Sequence, residues 1–407
     1  MRTLNHLIIP ALLLASAAQG LELGIEDIKV SGYVDEGRFQ LKDPEVDGEL
    51  VSRMGAKWRI EKAFNENWSL LAKPHWMFWR NQATDRGLFH IAGIKFDADL
   101  QGAILYKSGF HRAKAGLYEF KYNPDSKNLG EYLLRSGAYP TILESAQGKD
   151  MMGLSNTKVM GTEYGQDFRL FRHTALLYLE QINVPVNDLS AAYLAAVGPE
   201  RAEAELGVSF YRFFKTGTPM KDDLVPQQMQ DYIRDQGLTT KALKFSLRAR
   251  MDISAFLEME SPCKIYGEAA LLGLKNDTLF YRKTIQRVPV MMGAEIPTFG
   301  ILNAFSVEAE YFQNPYLDKK YPMQDATGSK FSPLPYIPSY SDVPNFTQDD
   351  WKWSVYLHRA LNRWIDLKVR IASDHLRLLD WESDYRPAPL TQRAQDWYLL
   401  ARIEYHN

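Results

Sequence analysis

The chain has 407 residues and only one cysteine, Cys263. A lone thiol excludes an intramolecular disulfide framework and a cysteine-based zinc site. An excess of either charge is also missing, since 48 Lys and Arg stand against 50 Asp and Glu. A formal net charge of −2 gives no electrostatic footprint for nucleic acid. The 20 Pro and 26 Gly are scattered rather than clustered, which excludes collagen-like and low-complexity sequence. No glycine-rich phosphate loop, zinc-protease helix motif or nucleophile elbow occurs. The eight His are dispersed, and Ser373 and His375 share a face only as any i,i+2 pair would. No catalytic residue, cofactor or metal site is therefore expected, and the chain is read as a non-enzyme. What the sequence does have is aromatic residues: 9 Trp, 22 Tyr and 20 Phe, in a chain of mean hydropathy −0.33.

The only long apolar stretch lies at the start, MRTLNHLIIPALLLASAAQG. Arg2 precedes an apolar run from Leu7 to Leu14, and small residues around Ala15-Ser16-Ala17 or Ala18-Gln19-Gly20 offer a cleavage site. This layout predicts a secretory signal peptide over 1–20 and one domain over 21–407. The run is too short to span a bilayer, and no later run approaches a transmembrane helix.

The remaining chain alternates with period two. Leu243, Phe245, Leu247, Ala249, Met251, Ile253, Ala255 and Leu257 are apolar, with Lys244, Ser246, Arg248, Arg250, Asp252 and Ser254 between them. Such alternation places the two sets on opposite faces of a sheet. Globular strands run about 5–6 residues, whereas tilted membrane strands need about 9–11. The runs over 243–257 and 94–106 exceed both. The pattern predicts an all-β fold: a transmembrane, antiparallel, up-and-down β-barrel of about sixteen strands. The sixteen segments are 28–41, 50–62, 67–79, 91–106, 111–122, 157–164, 168–181, 189–197, 203–214, 241–257, 263–274, 286–296, 302–312, 351–361, 364–376 and 396–406. The sixth rests on little more than the even count that closure requires. Connections alternate between short turns and longer loops such as 123–156, 215–240 and 313–350.

Each face carries an expectation. Rings placed near strand ends, Trp68, Trp76, Trp353, Trp397 and Tyr405 among them, suit the boundaries of a bilayer, although a soluble β-core also packs rings. The other face is charged. Arg53, Lys57, Arg59, Arg248, Arg250, Arg370 and Arg402 are basic candidates for the lumen wall, and Asp97, Asp99, Glu203, Glu205, Glu268, Glu308 and Glu310 are acidic ones. Dry burial of so many ions would cost several kcal/mol each before pairing. Sixteen strands enclose more space than side chains alone fill, so a hydrated lumen is expected. A ladder of ion pairs that only holds the barrel's shape is the alternative.

The 34-residue loop 123–156 is too apolar for a solvated connection, with Leu129, Tyr132, Leu133, Leu134, Ile142, Leu143, Met151 and Met152. It is expected to fold inward and narrow the lumen. Asp125, Glu131, Arg135 and Glu144 are then constriction candidates, opposed by Arg248 and Arg250. A cap or a subunit contact is the other reading of this loop.

The organisation is similar to that of the sixteen-stranded general porins, in which the third external loop enters the pore. Locally, YNPDSKNLGEYLLRSGAYPTIL, VPVMMGAEIPTFGILNAFSVEAEYFQNPY and DDWKWSVYLHRAL resemble segments of bacterial porin-like outer-membrane barrels. The resemblance implies an outer-membrane location after export and a passive channel for small hydrophilic solutes. It implies contact with outer-membrane lipid, handling by the barrel-insertion machinery and a possible homo-oligomer. Such barrels typically end in an aromatic residue, and here Tyr405 is the nearest ring to Asn407. A non-channel barrel acting as adhesin, scaffold or surface component is the main rival. A soluble secreted β-protein is the third reading.

Overall fold

The computed structural model describes residues 27–40, 50–81, 95–134, 157–179, 189–214, 242–274, 284–312, 351–373 and 397–406. The expected signal segment and the loop 313–350 lie outside them.

Sixteen antiparallel strands form one closed barrel. They are β1 (Asp27–Gln40), β2 (Leu50–Ala63), β3 (Trp68–Asn81), β4 (Lys95–Ser108), β5 (His111–Phe120), β6 (Thr157–Asp167), β7 (Phe171–Leu179) and β8 (Leu189–Val197). The ring continues with β9 (Ala202–Phe214), β10 (Ala242–Asp252), β11 (Lys264–Leu271), β12 (Val290–Glu295), β13 (Ala304–Tyr311), β14 (Trp351–Ala360), β15 (Ile365–Ala372) and β16 (Trp397–His406). Each strand pairs with its sequence neighbours, and β1 closes on β16 with Gly32 opposite Tyr405 and Asp35 opposite Arg402. Among the described residues no helix is long and apolar enough to cross a membrane.

The alternation assigns the faces. Arg248 stands opposite Glu205 and Arg250 opposite Glu203 on the inner face, while Leu247 stands opposite Leu206 on the outer face. Leu206 and Leu247 are exposed, as are Leu100, Ile104, Met292 and Ile403. Glu205, Arg248, Glu268, Glu308, Arg370 and Arg402 are buried. An apolar exterior around a charged interior is the layout of a barrel that meets lipid. Short turns are closed by local acceptors. The Asn65 side chain accepts from the Asn67 and Trp68 N–H groups, and Asn362 accepts likewise from Trp364 and Ile365.

Several boundaries differ from the sequence pattern, each for a local reason. β10 ends at Asp252 rather than at 257, because Ile253–Leu257 forms a short helix, α1. The Asp252 side chain caps it, accepting from the Ala255 N–H at 3.1 Å. Ala255 and Leu257 therefore continue the apolar alternation without continuing the strand. β12 starts at Val290 because Thr284–Arg287 makes a 3-10 turn. β6 extends to Asp167, so thin apolar evidence concealed a full strand. Within β3, Pro74 has no N–H to donate, and the β2–β3 pairing lapses opposite it, at Trp58 and Arg59.

Candidate pore constriction

After β5 the chain leaves the barrel wall at Lys121 and runs to a 3-10 turn at Tyr132–Leu134. Its base is tied by Glu131, whose carboxylate accepts from the Tyr122 and Asn123 N–H groups at 2.8 and 3.0 Å. Lys121 Nζ adds an ion pair to the same carboxylate at 3.1 Å. Gly130 and Glu131 both adopt positive φ, 83° and 62°. That bend turns a run of backbone N–H groups in one direction.

Six consecutive N–H groups, Lys127 through Tyr132, all donate to three glutamates. Glu308 accepts from Lys127, Asn128 and Leu129, Glu310 from Gly130, and Glu268 from Glu131 and Tyr132. Tyr132 and Tyr266 donate their hydroxyls to Glu310 and Glu308, both at 2.8 Å. Arg370 Nη2 donates to the Lys127 carbonyl at 2.9 Å. Glu268 stands on β11, Glu308 and Glu310 on β13, and Arg370 on β15. β13 lies eight strands from β5 in a ring of sixteen, on the opposite side.

The pairing answers an energetic demand. Buried ionised carboxylates are costly unless hydrogen-bonded. A bond to a charged group contributes about 1.5–3 kcal/mol. The segment's backbone and the wall's carboxylates thus satisfy each other. The positive φ at Gly130 favours glycine, and a Cβ there would lie 2.6 Å from Glu268 Oε2 and the Met291 methyl, so both side-chain ends would have to shift. Two apolar clusters flank the polar contacts. Leu133 and Leu134 pack with Tyr118, Val159, Tyr178 and Leu194, and Leu129 and Tyr132 pack with Tyr266, Leu272, Met291 and Phe312.

The expected site residues fall in different places. Asp125 is buried and meets Arg250 at 3.4 Å and Lys264 at 3.7 Å. Arg250 also donates to the Glu200 carbonyl. Arg248 binds Glu203 and Glu205 at 2.9 and 3.1 Å, and its guanidinium lies 5.6 Å from the Tyr122 ring centre. Burial pushes the Tyr122 phenol well above its ordinary pKa, and the Glu268 carboxylate adds to that. Tyr122 therefore offers Arg248 a neutral ring. Glu131 is 2% exposed and turned back onto its own segment, not toward open space. Arg135 and Glu144 lie outside the described residues.

On the wall, Arg370 and Arg402 are buried. Arg402 grips Asp35 with two bonds of 2.5 and 2.6 Å and covers the Tyr33 ring at 4.0 Å. Lys57 Nζ sits 5.2 Å from the centre of the same ring, and Arg59 pairs with Glu61 at 2.6 Å. Arg53 stands opposite Asp35 in register, and Asp97 and Asp99 opposite Met77 and His75. The side chains of those three lie outside the described residues. Beside the segment, the wall from β5 to β10 borders an open cavity of about 760 Å³, with Lys114, Glu163, Arg172, Glu205 and Arg250 on its lining.

Trp68, Trp76, Trp353 and Trp397 are exposed on the outer face, and Tyr405 is half-buried. Trp68 packs on Tyr106 and Tyr405 stacks on Trp364, both beside short turns. Trp353 and Trp397 lie at the opposite strand ends. Trp76 differs: it stands in the interior of β3 and meets Trp58 edge-on at 4.6 Å. Sequence reasoning named Glu268, Glu308 and Glu310 only as wall acids. No local signal joined them to a segment more than 130 residues away in sequence.

No family model matches the chain, and no curated protein matches it. Solved structures do resemble it. One is Salmonella typhi OmpF in complex with daunomycin, 10% identical, covering 94% of this chain and 97% of that one, with a TM-score of 0.50. Another is a mutant of a Rh. blastica porin, 6% identical, covering 94% and 99%, with a TM-score of 0.47. Closed into sixteen antiparallel strands, the chain has the fold of the bacterial general porins.

Proposed function

We propose that this protein is an outer-membrane channel for passive diffusion of small hydrophilic solutes, narrowed by the strap 121–134. In this reading residues 1–20 direct export and are removed. The insertion machinery then places the barrel in lipid with its rings at the two boundaries, as a single barrel or as a homo-oligomer. Catalysis plays no part. Asp125, with Arg248 and Arg250 facing it from the wall, borders the narrowed passage, and Arg135 and Glu144 belong to the continuation of the same loop.

One observation carries the proposal. Six consecutive backbone N–H groups of a segment leaving β5 are held by carboxylates on the opposite wall. A structured element across the interior gives a diffusion channel its size limit. The bond pattern describes a strap fixed in place.

Planar-bilayer recording of the purified protein tests this. Discrete conductance steps, ohmic near zero voltage, are expected. A protein that inserts and folds yet gives no steps would defeat the channel reading.

A further inference from the structure

Both signs of charge stand on the inner face, but among the described residues they differ in what faces water. In the inner-face ion pairs the cation is usually the exposed partner. Lys114 is 30% exposed against 5% for Glu163, and Arg172 is 32% against 7% for Glu203. Lys264 is 34% against 9% for Glu295, and Lys121 is 23% against 2% for Glu131. Lys368 and Glu404 follow the same order. Among the described residues, Lys73 with Glu119 and Arg112 with Asp167 reverse it. Arg248 and Arg402 are buried together with their partners.

The asymmetry has a structural cause. A carboxylate on a short side chain lies close to the wall, where backbone N–H groups and the strap can reach it. Glu268, Glu308 and Glu310 are covered in this way by the strap itself. Lys and Arg extend further and keep their heads in water while their stems cover the acids. A permeating ion meets the exposed layer first, and the covered layer acts through a longer and partly screened distance.

We propose that the pore prefers small anions over small cations. The preference rests on the channel reading and adds a substrate class to it: compact, singly charged, hydrated anions. Selectivity by rings of exposed cationic side chains is a recognised route to anion passage. The preference weakens with salt, because the Debye length falls from about 10 Å at 0.1 M to about 3 Å at 1 M.

The test is the zero-current potential of the full chain across a planar bilayer with a potassium chloride gradient. A dilute side that becomes negative is the expected result, since chloride then leads. Conductance with a positive or zero potential on the dilute side overturns the anion preference and leaves the channel reading standing. No conductance at all overturns the channel reading, and the preference with it. The variant Lys114→Gln/Lys264→Gln is expected to lower the chloride-to-potassium permeability ratio by roughly twofold. Glu163→Gln, which removes a covered charge, is expected to change it far less. Equal and opposite shifts in the two variants would show that charge count governs and exposure does not, which also overturns the proposal. Heat-modifiable gel mobility verifies that each variant folds, and the wild-type potential stands whether or not they do.

Discussion

Removing the Glu308 carboxylate takes the acceptor from three backbone N–H groups and from the Tyr266 phenol at once. Each buried donor left without a partner costs about 1–3 kcal/mol. Glu308→Ala is therefore expected to loosen the strap while the wall persists, because the cross-strand bonds of β13 are backbone bonds. Limited proteolysis within 121–134 should accelerate and single-channel conductance should rise. Glu308→Gln, which keeps one carbonyl acceptor, should fall between Ala and wild type. An unchanged cleavage rate in Glu308→Ala would show that the apolar clusters alone hold the segment. Glycine offers a second contrast. Gly130 and Gly109 both have positive φ, yet a Cβ at Gly130 meets Glu268 and Met291 while one at Gly109 meets nothing within 4 Å. A left-handed conformation costs an alanine about 1–2 kcal/mol. Gly109→Ala should cost no more than that in thermal stability. Gly130→Ala should cost more and should also increase open-channel noise.

At the scale of elements, the helix α1 isolates one local interaction. Asp252 caps it from an exposed turn, and replacing such a cap by alanine costs about 1 kcal/mol. Asp252→Ala is expected to leave conductance unchanged and to speed proteolysis at 253–258; altered conductance would mean that this turn reaches the passage. The same element shows where the sequence is readable and where it is not. Period two identified fifteen of the sixteen strands because their two faces differ in polarity, whereas the sixth was reached mainly from the even count that closure requires. It ran past the end of β10 because Ala255 and Leu257 stay apolar on a helix that no longer pairs. The burial of the loop's first part was legible from Leu129, Tyr132, Leu133 and Leu134, all of them buried. Its anchorage was not. Glu268, Glu308 and Glu310 look like any wall acids until closure of the ring brings them opposite Gly130. Glu131 likewise resembles a pore acid in sequence, and only the positive φ at two adjacent residues turns it inward to its own backbone.

For the whole molecule, closure of the ring depends on the β1–β16 seam, which joins the residues farthest apart in sequence. Across that seam Asp35 and Arg402 form the two-bonded pair, both side chains about 97% or more buried, with Tyr33 beneath the guanidinium. Breaking a buried pair by removing one partner costs about 3–5 kcal/mol, because the remaining charge is stranded. An exposed pair contributes about 0–1 kcal/mol. Arg402→Ala is therefore expected to lower the temperature at which the folded gel band converts to the unfolded one, and Arg59→Ala to leave it nearly unchanged. Removing the stranded charge as well, in Asp35→Asn/Arg402→Met, should recover most of the loss. The comparison separates two accounts of barrel closure. If the seam is held by backbone bonds alone, Arg402→Ala and Arg59→Ala will behave alike. If the buried pair contributes as its geometry implies, only the seam variant will open early, and the double variant will restore it without restoring any charge.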